Sequence, residues 1–467
     1  MINSKFTLFT VSFILLIFTL YYSNIPFFWD GTLFSELACK FYDKTYTPIS
    51  FPPYLDNTSF PIYSTYLFAI WTLFSKTLLI SHLAFLPFLI GICYEYYKLS
   101  KRFLTDTFVS FALILLILEP TFITQSLLMS LDIIPLYLFL VLVNLLLKEN
   151  FKLYSFIIPV LALYSIRGLV LAFSIIIIQF ILLYPKYKKT SFIIFLKSNL
   201  LCFFLIIVWY VFHKFKTGWF IFSIEKNDGE KTIPLSMTFR QLLFITWKLA
   251  DFGRVVLWLI IIFGSFIIYK RNALSASLKK ILLFTLLPAL ILILVMIFIT
   301  NPAGHRYFMF TYLLLNISVC YILSNIKNKF LRNTTFIVCC ISLFTGNFWL
   351  YPERFGNGWD SSLKVLPYFS LKDDMDNYIV QNKIAPEEIG TQFPLINDKR
   401  FSHLTDSSFH FTNVWRGPIS NYKYYLQTNV INTDIPEQIE EVKSKWILVK
   451  GYKKGLVYLN LYKNPKN

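Results

Sequence analysis

Five residues place a charge or a titratable ring where the surrounding sequence is apolar or turns between apolar runs. Asp30 follows Trp29 and precedes Gly31 just beyond the first apolar run, and Asp132 opens the run DIIPLYLFLVLV. Near hydrocarbon a carboxylate costs roughly 2.5–3.5 kcal/mol at midspan and less at a helix end. The plainer alternatives are a solvated Asp30 beside an interfacial tryptophan, and an Asp132 that caps a helix with Pro135 in its first turn. Arg167 lies in LALYSIRGLVLAF. A tight turn there needs Gly168 but not an arginine, and snorkelling to the interface is the alternative. His305 and Arg306 close the turn NPAGHRY where the next helix should begin, and guanidinium donors with free helix N–H groups favour an anion. Two carboxylates and two arginines suit chemistry on a phosphate-linked lipid. One carboxylate takes a proton from an acceptor, while guanidinium groups hold the leaving phosphate.

Such groups need a scaffold, and composition names its class. Hydrophobic residues make up 56% of 467 positions and mean hydropathy is +0.57, against roughly 45–50% apolar residues in an average soluble domain. Runs such as VSFILLIFTL and LILVMIFIT lack the polar face of a soluble helix. The chain reads as a polytopic α-helical membrane protein. About eleven transmembrane helices are expected, near 6–23, 81–98, 104–121, 131–147, 152–166, 168–185, 192–212, 254–270, 281–299, 306–325 and 332–350. The first run is read as a retained span, since only Lys5 serves as a positive n-region and SNIPFFWD offers no small-x-small cleavage pattern.

The net charge of +18 is informative through its location. Residues 351–467 hold 15 Lys/Arg and 13 Asp/Glu, so the excess lies upstream, in short loops around Lys101, Lys148, Lys188, Lys279 and Lys329. Short basic loops between apolar spans are cytoplasmic by the positive-inside rule, which argues against nucleic acid as a partner. The N-terminus is then cytoplasmic, and residues 351–467 form an extracytoplasmic domain. This topology requires 62–79 to lie in the interface or re-enter rather than cross. Residues 1–350 are read as the membrane domain, with outer loops 24–80 and 213–253. The C-terminal domain reads as a small α/β module, with a helix near 371–382, strands at EIGTQF and YKYYLQTNV, and a helix near 436–443. KWILVKGYKKGLVYLNLY then reads as two strands about a Gly-Tyr-Lys-Lys-Gly turn. Five of six cysteines fall in apolar runs, so no disulfide framework is implied.

At these residues the sequence resembles the GT-C superfamily of polyprenyl-phosphate-sugar-dependent glycosyltransferases, in the style of bacterial protein O-mannosyltransferases and lipid A aminoarabinose transferases. WDGTLFSELACKFYD resembles the first outer loop, and FPIYSTYLFAIWTLFSK the segment that follows it. EPTFITQSLLMSLDIIPLYLFL resembles the next outer loop, SIRGLVLAF a basic-x-Gly turn, and GHRYFMFTYLLL the late Arg-Tyr turn. The resemblance implies inverting transfer of a sugar from a polyprenyl-phosphate donor to a lipid, glycan or protein acceptor, at the outer face of a bacterial inner membrane. Asp30 would be the general base and Asp132 a second acidic group, while Arg167, His305, Arg306 and Tyr307 would meet the donor phosphate. The pattern departs from relatives in two places: Gly31 stands where many carry a second acidic residue, making Glu36 the next candidate, and His82 stands where arginine is usual. The resemblance identifies no cofactor with certainty, and a divalent metal is left open. The alternative from a different class is a transporter or flippase for lipid-linked saccharides.

Overall fold

In hydrocarbon, backbone N–H and C=O groups must be satisfied within the chain, which helices achieve. The computed structural model is accordingly helical throughout its apolar part. It describes residues 3–56, 58–221, 235–270, 275–298, 304–352, 356–406, 408–414, 418–431 and 436–466. Fifteen helices precede residue 350 among these. They are α1 (Ser4–Tyr21), α2 (Asp30–Tyr42), α3 (Ile62–Leu73), α4 (Leu78–Lys101), α5 (Asp106–Leu118), α6 (Pro120–Leu127), α7 (Ile133–Leu147) and α8 (Phe151–Tyr164). There follow α9 (Ile166–Tyr187), α10 (Lys189–Thr217), α11 (Leu235–Ala250), α12 (Arg254–Lys270), α13 (Ala276–Met296), α14 (Met309–Ser324) and α15 (Lys329–Gly346).

Among the described residues, six helices are long and apolar enough to cross a membrane: α1, α4, α9, α10, α13, and α14 with its preceding turn. Counting α5 with α6, bent by 58°, and α11 with α12, bent by 91°, raises the number to eight. The expected count of eleven is therefore not reached by length and composition. Helices α7 and α8, with 15 and 14 residues, are only about 22 and 21 Å long at 1.5 Å per residue, against a core of about 30 Å. At 12 residues α3 is shorter still, and it packs on α2 and α4 with Trp71 Nε1 donating to Ser81 Oγ at 2.9 Å.

The basic loops gather at one end of the bundle. Ser4 Oγ donates to Asp106 Oδ1 at 2.9 Å, Arg102 Nε to Asn144 Oδ1 at 3.3 Å, and Lys186 Nζ to Glu149 Oε1 at 2.6 Å. At the other end α12 and α15 approach so closely that a Cβ on Gly253 (φ +85°) would lie 2.0 Å from Ser342 O. One on Gly346 would lie 2.2 Å from Phe252 O.

The C-terminal part is a five-stranded mixed sheet with helices. Helix α16 (Pro367–Gln381) precedes β1 (Ile389–Thr391), α17 (Lys399–Ser402), β2 (Thr412–Asn413) and β3 (Tyr424–Thr428). Helix α18 (Pro436–Lys445) then leads into the hairpin β4 (Ile447–Lys454) and β5 (Val457–Lys463), and the strand order is β2-β1-β3-β5-β4. The expected Gly-Tyr-Lys-Lys-Gly turn is corrected: β4 continues through Gly451 opposite Asn460, and the turn is Gly455–Leu456. Gly455 supplies the positive φ of +58° that this tight loop needs.

This sheet is not a separate body. Ile25, Phe28, Trp29 and Leu128 belong to the same core as Trp359, Tyr368, Met375, Leu426 and Leu461. Backbone joins it too: Phe27 N–H donates to Ser402 O at 2.9 Å, and Ser35 Oγ to Phe401 O at 2.6 Å.

Candidate functional site

Asp30 is the first residue of α2, and the residue before it sets its direction. Trp29 adopts φ 55°, ψ −135°, a costly conformation for a bulky side chain. Its burial compensates, for the indole lies edge-on to Phe393 at 4.9 Å and against Phe28. The sheet unit therefore holds the bend that presents Asp30.

Asp132 takes the N-cap position of α7, but its side chain caps nothing. Its carboxylate accepts Arg167 Nη1 at 2.8 and 3.0 Å instead. Arg167 is the second residue of α9, and a single residue, Ser165, joins α8 to α9. Ser165 Oγ accepts from Gly168 N–H at 3.0 Å. A Cβ on Gly168 would sit 2.2 Å from Leu161 O, so glycine is what lets the helices meet here.

Arg306 lies in a 3-10 turn (His305–Phe308) leading into α14 and is 5% exposed. Its Nη2 pairs with Asp30 Oδ2. Its Nε stands 3.5 Å from Asp132 Oδ2 and 3.3 Å from Asp360 Oδ2. Tyr307 places its ring 4.0 Å from the Arg167 guanidinium, a cation–π contact. Asp30, Asp132, Arg167, Arg306 and Tyr307 thus form one cluster at the sheet-bearing end. With Asp360 it brings three carboxylates to two guanidinium groups, and the buried Lys248 lies close enough to feel the Asp360 charge.

Asp360 was not foreseen, because NGWDSS reads as an ordinary polar turn. It is held firmly. Its backbone O accepts from the Gln125 amide of α6, its neighbour's Ser361 O accepts from Thr121 Oγ1 at 3.3 Å, and Ser361 Oγ donates to its Oδ1 at 3.0 Å.

Three candidates lie outside the cluster. His305 places Nε2 2.8 Å from Asp251 Oδ2 and stacks on Phe252 at 4.5 Å. His82, fully buried, puts Nε2 2.9 Å from Ile25 O and so ties α4 to the segment before α2. Glu36 sits further along α2 near Lys40, Asp398 and Arg400, and burial raises its carboxyl above the usual range. Residues 301–303 of the NPAGHRY turn and 225–231 of the second outer loop lie outside the described residues.

Behind His305 is a second polar group, at the α11–α12 bend. Asp251 accepts from Tyr351 OH and from Phe252 N–H at 2.7 Å. Arg254, fully buried, donates through Nε to Glu119 Oε1 at 2.8 Å and lies over the Tyr312 ring at 3.6 Å. Lys364 donates to Trp349 O at 2.6 Å, and burial pulls its ammonium down to about 8, with Asp251 acting the other way. No local spacing in the sequence links these residues, which come from four separate segments, and only the bend unites them.

Among the described residues, no three His, Cys, Asp or Glu groups converge as metal ligands; the three aspartates of the cluster all reach toward Arg306. No protein-family model matches the chain, and no curated protein matches it.

Proposed function

We propose that the protein is a GT-C-type glycosyltransferase that moves a sugar, with inversion, from a polyprenyl-phosphate donor to an acceptor at the outer face of a bacterial inner membrane. One observation carries this reading: Arg167 and Arg306 meet Asp30 and Asp132 at one end of an apolar helical bundle. In this reading α1, α4, α5, α7, α8, α9, α10, α12, α13, α14 and α15 cross the bilayer. The basic loops are cytoplasmic, and the cluster and sheet face outward. A transporter would place its ionisable groups near midplane on broken helices, whereas these lie at helix ends, which favours an enzyme.

The acceptor's nucleophilic oxygen or nitrogen bonds the anomeric carbon from the side opposite the phosphate, and Asp30 takes its proton. The bond from that carbon to the phosphate oxygen breaks, and its electron pair leaves with the phosphate, whose charge Arg167 and Arg306 carry. Asp132 orients Arg167 for this task.

Asp30→Asn is expected to abolish transfer while leaving expression and membrane insertion unchanged. Transfer is followed as release of polyprenyl phosphate from the donor. Near-wild-type release by that variant would remove Asp30 as the base.

A further inference from the structure

The two edges of Arg306 are held differently. Nη2 meets Asp30, whose side chain is 40% exposed, whereas Nε faces Asp132 and Asp360, whose side chains are 10% and 6% exposed. The Nε–H is buried, yet aligned with neither carboxylate for a hydrogen bond. Both guanidinium groups of the cluster already face carboxylates, so an anionic phosphate pairs with Arg306 only where a carboxylate gives way. Asp132 is committed to Arg167, and Asp360 is fastened by Gln125, Ser361 and the α6 contacts. Asp30 has the room to leave.

We infer that Asp360 is a positioning residue, supplied by the segment after the last membrane helix, that holds the Nε edge of Arg306 so that a lipid phosphate must displace Asp30 from the Nη2 end. Phosphate binding then unmasks the base. The exchange breaks no covalent bond: Arg306 stays protonated, the phosphate oxygen takes the place of Asp30 Oδ2, and the aspartate leaves as a carboxylate able to accept the acceptor's proton. The inference rests on reading the cluster as a phosphate site.

Without the Asp360 charge, only the Asp132 carboxylate, at 3.5 Å, faces the Nε edge, and phosphate can compete for that edge while Asp30 stays tied to Nη2. Removing a negative charge also favours an anion. Asp360→Asn should therefore bind the lipid phosphate at least as tightly as wild type, yet turn over about tenfold or more slowly. A merely structural role would weaken binding and turnover together.

The test uses full-length protein in lipid nanodiscs. Binding of farnesyl phosphate is measured with farnesol as control, and turnover as release of farnesyl phosphate from a panel of farnesyl-phosphate hexoses and pentoses. Retained or tighter binding, a lowered kcat and recovery of rate by Asp360→Glu are the expected results. An unchanged kcat, or a parallel loss of binding and rate, would overturn the proposal. A second measurement needs no ligand. The thermal unfolding losses of Asp360→Asn and Arg306→Gln should exceed, when summed, the loss of the double variant, and strict additivity refutes the pairing. If wild type does not prefer farnesyl phosphate to farnesol, the phosphate reading falls and the exchange with it. The Arg306–Asp360 coupling is still decided by the second measurement alone.

Discussion

Arg254 and Glu119 form a pair with almost no exposure, and Glu119 also caps α6 by accepting Phe122 N–H at 2.6 Å. Removing one member of a buried pair costs about 3–5 kcal/mol, because the survivor remains charged and unpaired. Glu119→Ala and Arg254→Ala should each lower the melting temperature substantially, and the double variant should lose less than the sum. The exposed pair Lys445–Glu441 is worth about 0.3–0.5 kcal/mol, so Lys445→Ala should leave the melting temperature nearly unchanged. Scanning fluorimetry of the four purified variants compares them directly. Burial also explains which site residues were legible in the sequence. Asp132, Arg167 and Arg306 stand out because apolar neighbours make their charges expensive. Asp360 and Asp251 do not, since polar neighbours supply the sequence with a cheap explanation that the fold removes. His305 was legible as a polar group at the late turn, expected at the donor phosphate, but not as a partner of Asp251, which lies on another helix pair.

At the scale of elements, two glycines are predicted to be irreplaceable for different reasons. Forcing a methyl group into a packed contact costs about 1–3 kcal/mol. Gly168→Ala would press on Leu161 O in the one-residue joint between α8 and α9, and Arg167 rides on that joint. It should therefore lose turnover as well as stability. Gly253→Ala meets Ser342 O and also sits at a positive φ, in the α11–α12 bend and not on the joint that carries Arg167, so stability should fall more than the turnover of the protein that remains folded. Comparing specific activity with melting temperature for both variants checks the distinction. Long apolar helices were readable from composition alone. The breaks were not: one span was expected to run through residue 121, but Pro120 takes the first turn of a new helix after Glu119, where its missing N–H costs nothing. Helix α11 likewise falls within an expected loop, because its apolar face is too narrow to read as a span.

The whole molecule depends on the sheet staying docked. Burial, aided by Lys399 and Lys372 and opposed by Asp376, pulls the His403 imidazole down to about 4. The unfolded chain protonates near 6.5. Between about 6.5 and 4 the unfolded state therefore binds the proton that the folded state refuses, and stability falls as pH falls through that window. His403→Gln should flatten this part of a melting-temperature profile taken against pH. Deleting 351–467 would expose Ile25, Phe28, Trp29 and Leu128, and the truncated protein is expected to aggregate on size-exclusion chromatography in detergent. The sequence showed the composition change at Tyr351 but not the docking, because the contacts pair residues from opposite ends of the chain. That pairing bears on synthesis. A ribosome delivers Asp30 near the start and Asp360 near the end, and Trp29 keeps its costly backbone angle only once the sheet covers it. A chain stopped before that segment would insert its helices with the arginine cluster unfinished, so competence arrives with the sheet and does not accumulate helix by helix.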